Sequence, residues 1–187
     1  MKWVVYWFVL LLRLNAAHAV ELKILTDDGF VAFSPGADWP IVATQTHLPV
    51  AVMAFQVPNA SDVGSPDSTN LSISLYSLGT DRGRNAFAKM GTPLGLKPPS
   101  IEVVGSWSIY RQEALQAETM YTILDAKRSE VADVAVAVRL AWPHLSSNPK
   151  NYNEDMEALF RGFLSSIYGT KGPYKPKDGE VIRRPES

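Results

Sequence analysis

The sequence predicts an α+β domain in which an antiparallel sheet is packed by a long C-terminal amphipathic helix and a short mid-chain helix. Apolar residues alternate with Ser, Ser and Tyr at 71–76, and large apolar residues alternate with Ala or Arg at 134–141, which is the period of a strand. At 156–167, apolar residues recur three and four positions apart, which predicts a helix with one apolar stripe. The stripe must be buried, and the apolar strand face at 134–140 is expected to receive it.

Three strands are predicted in the first half of the chain. Residues 30–34 form a short strand ended by Pro35 and Gly36, and residues 38–40 form a turn. Residues 50–57 are almost continuously apolar between two prolines, which predicts a buried strand. The alternating strand at 71–76 follows a polar loop.

The middle of the chain predicts a helix, a loop and two strands. Asp81 is expected to cap a short helix that runs through Met90 and ends at Gly91. Residues 92–100 contain three prolines and therefore form a loop. Strands are expected at 101–104 and 106–112.

The last third predicts a hairpin and the long helix. Strands at 117–126 and 131–142 are expected to be joined by a charged turn at 127–130. Asn151 and Glu154 resemble a capping box for the helix, and Gly169 lies at its expected end.

Residues 1–19 have the layout of a secretory signal. Lys2 precedes ten apolar residues at 3–12, and Ala17 and Ala19 occupy the positions that a signal peptidase reads. The apolar run is shorter than the roughly 20 residues that span a bilayer. We expect a Sec-type signal cleaved after Ala19, a single domain at 20–170 and a flexible polar tail at 171–187. An uncleaved N-terminal anchor is the alternative, and the expected location is the periplasm.

Composition excludes several classes of function. The 187-residue chain has no cysteine, which excludes disulfides, thiol nucleophiles and zinc sites built on cysteine. Residues 20–170 hold 11 Lys and Arg against 16 Asp and Glu, a net charge of −5. An acidic domain lacks the electrostatic basis for binding nucleic acid. We expect neither a cofactor nor a metal, and no stable membrane insertion once the signal is removed.

No catalytic signature is present. The chain has no Gly-x-Ser-x-Gly elbow, and its two histidines outside the signal, His47 and His144, are far apart in loops. The carboxylates Glu113, Glu118 and Asp125 lie on or beside neighbouring predicted strands. Two of them facing each other would suit glycoside hydrolysis, while exposed strand-end charges are the alternative.

Two further patterns have simpler interpretations than a ligand site. The acidic turns at 27–28 and 62–67 could hold a weak calcium ion but lack the spacing of an EF-hand, so solvated carboxylates are the simpler interpretation. Residues 79–84 resemble a phosphate loop but lack its Gly-Lys-Ser/Thr ending and contain Asp81.

The predicted binding residues are Trp107, Arg111, Trp142 and His144. Trp and Arg are common anchors of protein interfaces, whereas packing at the edge of the core is the alternative for the tryptophans. Trp107 and Arg111 share one face of their predicted strand by parity. The loop at 92–100 and the loop after Trp142 are expected to border this surface.

The order of these elements resembles a known fold. An Asp-Trp-Pro turn at 38–40 is followed by an apolar strand, by an alternating strand beginning at Asn70-Leu71 and by a short helix near Phe87. Hairpin strands and a helix ending in Phe-Leu-Ser-Ser-Ile at 163–167 complete the order. Over residues 24–168 this is similar to the PsbP/Mog-like α/β/α sandwich, which includes DcrB-like bacterial periplasmic proteins. The resemblance implies binding and assembly roles without a shared active site.

The sequence therefore predicts an exported, non-enzymatic protein that binds another protein. Its most concrete version is an immunity protein that neutralises a toxin acting in the periplasm. An accessory or assembly factor of an envelope complex is the first alternative, and a hydrolase of cell-wall or glycan substrates is the second.

Overall fold

The computed structural model describes residues 21–45, 48–57, 68–95 and 97–175, which form two antiparallel sheets and two helices. The α+β class is as predicted. The helices are α1 (Asp81–Ala88) and α2 (Tyr152–Ser166). The strands are β1 (Leu22–Thr26), β2 (Gly29–Phe33), β3 (Ile41–Gln45), β4 (Val50–Gln56), β5 (Asn70–Tyr76), β6 (Ser100–Val104), β7 (Trp107–Gln116), β8 (Thr119–Val131), β9 (Val134–Pro143) and β10 (Tyr168–Lys171).

A seven-stranded sheet dominates the fold. Its strand order is β3-β4-β5-β9-β8-β7-β6, and neighbouring strands are antiparallel. The strands β1, β2 and β10 form a second, three-stranded sheet. The alternating strands β5 and β9 pair side by side, with Ile73 opposite Val138. Their apolar side chains therefore lie on one face, as the period of two requires.

The core lies on the face of the large sheet that α2 and the small sheet cover, which we call the helix face. Val136 and Val138 of β9 are fully buried in one cluster with Phe160 and Phe163 of α2. Trp39 stacks on Phe163 with ring centroids 6.3 Å apart. The 134–140 face thus receives the helix, as expected. Burial of each such side chain stabilises the fold by about 1.5–3 kcal/mol.

The opposite face of the large sheet, which we call the outer face, is partly covered by α1. Tyr76, Ala135 and Ala137 are buried there, with Phe87 packed against them. The rings of Tyr76 and Phe87 have centroids 5.5 Å apart. Because α1 is short, it covers only part of a sheet seven strands wide.

The hairpin prediction is right about the two strands and wrong about the turn. Residues 127–130, expected as a charged turn, belong to β8, and the chain reverses between β8 and β9, with Ala132 at a φ of 59°. Lys127 lies over the rings of Phe87 and Tyr110, at 4.7 and 5.9 Å. The Lys127 side chain therefore packs against aromatic rings from two other elements, a contact that the local sequence does not reveal.

The helix ends also differ from the predictions. Thr80, and not Asp81, caps α1, because its hydroxyl accepts a hydrogen bond from the Gly83 N–H at 3.0 Å. Asn151 is the N-cap residue of α2, but its side chain makes no capping bond. Gly169 does not end the helix. It belongs to β10, so the last described element is a strand rather than the helix.

Residues 171–175, assigned to a tail, adjoin the small sheet. Lys171 pairs with Gly29, and the Gly172 N–H donates to the Asp28 carbonyl at 2.8 Å. The ring of Tyr174 packs edge-on against Phe30. Within the described ranges, neither helix has the length and apolar character to cross a membrane. The proposed division into signal, domain and tail stays a prediction.

Glycine-to-alanine substitutions in the two helices are expected to have opposite effects. A Cβ at Gly83 would lie 2.0 Å from the Ser77 carbonyl oxygen, so Gly83→Ala should destabilise the protein by about 1–3 kcal/mol through overpacking. A Cβ at Gly162 meets nothing within 4 Å, so Gly162→Ala should stabilise it by about 1 kcal/mol through helix propensity. Urea unfolding of both variants measures these changes, and equal signs would contradict the packing described for α1.

Candidate functional site

The predicted binding residues converge on the helix face. Trp107 and Arg111 lie four positions apart on β7 and so share one face, and Trp142 lies opposite Thr122 in the β8–β9 pair. His144 directly follows β9 and contacts the same Thr122 side chain. Sequence parity placed Trp107 and Arg111 on one face of their strand, as the structure has them, but it did not determine which of the four residues reach the surface.

The two tryptophans are buried and cannot contact a partner in this structure. Trp142 is 0% exposed, and its indole N–H donates to Asn153 Oδ1 at 2.8 Å. Trp107 is 7% exposed within the same core cluster. Both therefore take the core-packing role that was their alternative interpretation, and the binding prediction is corrected for these two residues.

Arg111 reaches the surface beside α2. Its guanidinium forms an ion pair with Glu157 of α2, and both side chains are partly exposed. Next to it, Arg161 Nη2 donates to Glu102 Oε2 at 2.7 Å. These pairs line a small groove between β6, β7 and α2, with Ser100 at its rim. Each exposed pair stabilises the fold by at most about 1 kcal/mol, so their larger contribution is to the charge pattern of the surface.

His144 is exposed and is hydrogen-bonded to β8 through both its backbone and its side chain. Its backbone N–H donates to the Met120 carbonyl at 2.8 Å, and its Nε2 lies 2.7 Å from Thr122 Oγ1. Leu124 pairs with Arg111 and lies two residues from Thr122 along β8. Two residues of a strand span about 7 Å. Arg111 and His144 thus border one stretch of the helix face.

The β7–β8 hairpin extends past its neighbours at this point. The β9 register ends at Tyr121, with one more backbone bond from His144 to Met120, and the β6 register ends at Arg111. Strands β7 and β8 continue to pair up to Gln116 and Thr119. Leu115 and Met120 pair directly within this extension and are 68% and 39% exposed. We call Leu115, Met120 and His144 the tip surface.

The turn that closes this hairpin is strained. Ala117 has a φ of 45° and Glu118 a φ of 72°, in the left-handed region that favours glycine. A tight two-residue turn of this kind normally carries Asn-Gly or Asp-Gly. Strain of about 1–3 kcal/mol per residue persists where the surrounding structure holds it, and such residues cluster at functional sites.

Sequence reasoning missed the tip surface. Gln-Ala-Glu-Thr at 116–119 contains no Gly, Asn or Pro, so the sequence predicts no turn there. The predicted strand 117–126 therefore starts within what is the turn in the structure. The one available signal was the placement of Leu115 and Met120 around a short polar stretch. Once the turn is known, that spacing puts them opposite each other.

The three candidate carboxylates do not face each other across a cleft. Glu113 pairs with Thr122, and both lie on the helix face. Asp125 is three residues from Thr122 along β8, so it lies on the outer face. Glu118 lies in the turn between β7 and β8. Asp125 is 0% exposed and accepts two bonds from Arg139, at 2.7 and 2.9 Å. It therefore serves as one half of a buried ion pair.

Electrostatics around Asp125 follow from that burial. The hydrogen bond to Asp125 raises the pKa of Arg139, and burial raises the pKa of Tyr76 beside it. Burial also lowers the pKa of Lys127, against the attraction of Asp125. The group is a structural network beneath the outer surface, and Asp125 has no open side towards a substrate.

The other ligand patterns acquire structural roles where they are described. Asp133 accepts hydrogen bonds from Thr26 and from the Asp28 N–H, which holds the 27–28 turn. Arg84 pairs with Asp81 at the start of α1. Across the described ranges, no group of three His, Asp or Glu side chains could hold a metal ion. His47 and the 62–67 loop lie outside the described residues.

Fold and site together define a sheet-rich α+β protein with a strained, projecting hairpin. No family model and no curated protein matches the chain. It is similar to a protein of Bacteroides thetaiotaomicron at 14% identity and a TM-score of 0.43, covering 75% of this chain and 45% of that one, so it spans under half of that protein.

The chain is also similar to LpqN, described as involved in cell envelope biogenesis of Mycobacterium tuberculosis. The identity is 10% and the TM-score 0.42, over 82% of this chain and 92% of LpqN. These likenesses are too low to support an argument on function. The resemblance to PsbP/Mog-like and DcrB-like proteins stays a prediction.

Proposed function

We propose that this chain is an exported, non-enzymatic protein that binds a partner protein through the tip surface. The observation that supports the proposal is the exposed Leu115–Met120 pair on a hairpin whose turn is strained. Exposed apolar side chains held on a rigid projection can enter a concave pocket of a partner without paying much conformational entropy. His144 within this surface and Arg111 beside it add polar contacts that fix the orientation.

The more specific form of the proposal is an immunity protein. A projecting hairpin is a shape that can enter the cleft of a toxin, and the expected signal would bring this protein to the periplasm, where such a toxin acts. An accessory factor of an envelope complex uses the same kind of surface on a resident partner. The hydrolase alternative gains no support, because its carboxylates lie on different faces and in a turn.

Replacing Leu115 with aspartate is expected to weaken partner binding by at least about tenfold, because central apolar contacts dominate interface energies. Leu115 is 68% exposed, so the fold should be unaffected. The measurement is affinity capture from a periplasmic extract, followed by titration of the captured protein with each variant. Leu25→Asp, on the small sheet at 41% exposure, is the matched control and should bind like the wild type.

The identity of the captured protein separates the specific forms. A toxin whose expression in the periplasm stops growth, and whose effect this protein relieves, supports immunity. A resident envelope subunit supports the accessory role. The tip-surface proposal is wrong if the wild type captures no protein more strongly than Leu115→Asp does. It is also wrong if Leu25→Asp loses binding as much as Leu115→Asp.

A further inference from the structure

Strand β6 is an open edge of the large sheet. In the part of the chain that the structure describes, β6 pairs with β7 on one side and with no strand on the other. All five of its residues are exposed, including Ile101 at 63% and Val103 at 71%. An exposed apolar edge offers unpaired backbone groups to another strand.

The turn between β6 and β7 determines which backbone groups point outward. Val104 and Trp107 flank a two-residue turn in which Gly105 has a φ of 58°. Such a turn closes on a hydrogen-bonded pair, and hydrogen-bonded and non-hydrogen-bonded pairs then alternate along the hairpin. The N–H and C=O groups of Val103 and Ile101 therefore point away from β7.

The opposite edge of the sheet is less suited to pairing. Strand β3 is also fully exposed, with Val42 at 52%, but its register with β4 is interrupted between Ile41 and Ala43. A bulge of this kind twists an edge and protects it from a second strand. Strand β6 has a continuous register and contains neither Pro nor Lys.

We infer that a second copy of this chain pairs with β6 in antiparallel orientation and continues the sheet across a twofold axis. Ile101 of each copy then lies opposite Val103 of the other, and each such pair exchanges both of its N–H···O bonds. Their side chains share the outer face, so the pairing buries the most exposed apolar residues of β6. A twofold contact is self-complementary and leaves no further β6 edge open.

The same register brings like charges together on the helix face. Glu102 of one copy lies opposite Glu102 of the other, and like charges in that position are destabilising. Each Glu102, however, already accepts a hydrogen bond from Arg161 of its own α2, and that bond raises the pKa of Arg161. The charge of each Glu102 is therefore partly neutralised by its own Arg161, which reduces the repulsion across the axis.

Sedimentation velocity over a range from low to high micromolar concentration tests this inference. The wild type is expected to show a reversible dimer, and Val103→Lys should weaken its association by at least about tenfold by placing a charge at the edge. Val42→Lys on β3 is the matched control and should associate normally. A wild type that stays monomeric throughout, or equal effects of both variants, would overturn the inference.

Four further variants test the interpretation. If circular dichroism shows that Val103→Lys is unfolded, Ile101→Lys replaces it, and unchanged association of that variant overturns the inference. Arg161→Gln should weaken the dimer severalfold, and adding Glu102→Gln should restore it; no change in Arg161→Gln contradicts the register. Leu115→Asp should leave association unchanged, so failure of this inference is distinguishable from failure of the proposed function.

Discussion

Replacing Asp125 with alanine is expected to lower the free energy of unfolding by about 3 kcal/mol. Asp125 is 0% exposed and makes both of its short bonds to Arg139, whose side chain is 34% exposed. Without the carboxylate, the guanidinium remains largely buried without a counter-charge. Its partial access to water keeps the expected loss at the lower end of the range for buried pairs.

Urea unfolding of paired variants measures this effect. Asp81→Ala removes an exposed partner of Arg84 and should cost less than about 1 kcal/mol, including its contribution at the helix N-terminus. The double replacement Asp125→Leu with Arg139→Met should recover most of the loss, because two apolar side chains need no counter-charge. Equal losses in Asp125→Ala and Asp81→Ala would show that the buried pair does not hold the outer face.

Replacing Trp142 with alanine is expected to cost about 3–5 kcal/mol of stability. The indole is fully buried between the large sheet and α2, so alanine leaves a large cavity and also removes the donor to Asn153 Oδ1. Trp142→Phe keeps much of the volume and should lose about 1–2 kcal/mol, mainly from the lost packing, because Asn153 is exposed and its Oδ1 can accept from water instead. Thermal and urea unfolding measure both variants.

This prediction separates a core role for Trp142 from a binding role. Leu115→Ala serves as the surface comparison and should change stability by less than about 0.5 kcal/mol. If Trp142→Ala kept full stability but lost the captured partner, the residue would be a binding anchor after all, and the burial described here would be contradicted.

Local patterns were sufficient for most of the elements. The alternation at 71–76 and 134–141 became β5 and β9, and the apolar recurrence at 156–167 became α2, because each pattern is a property of a few neighbouring residues. The strand β3 and the terminal β10 had no such pattern. All their residues are exposed, so nothing in their composition marks a buried side.

The turns and the site depended on contacts made far along the chain. Residues 127–130 have the local composition of a charged turn, yet they continue β8, where Lys127 pairs with Ser108 of β7 and with Ala137 of β9. The Lys127 side chain also lies over the rings of Phe87 and Tyr110. The actual turn at Ala117 and Glu118 has no turn residues, and its conformation is held by the paired strands on either side.

The sequence alone determined the α+β class, the strands with regular alternation and the shared strand face of Trp107 and Arg111. Only the tertiary structure decided that the tryptophans are core, that Asp125 is paired with Arg139, and that Leu115, Met120 and β6 are the exposed features. The physical reason is that periodicity is set by backbone geometry within one element. Burial, ion pairing and edge exposure depend on which other elements pack there.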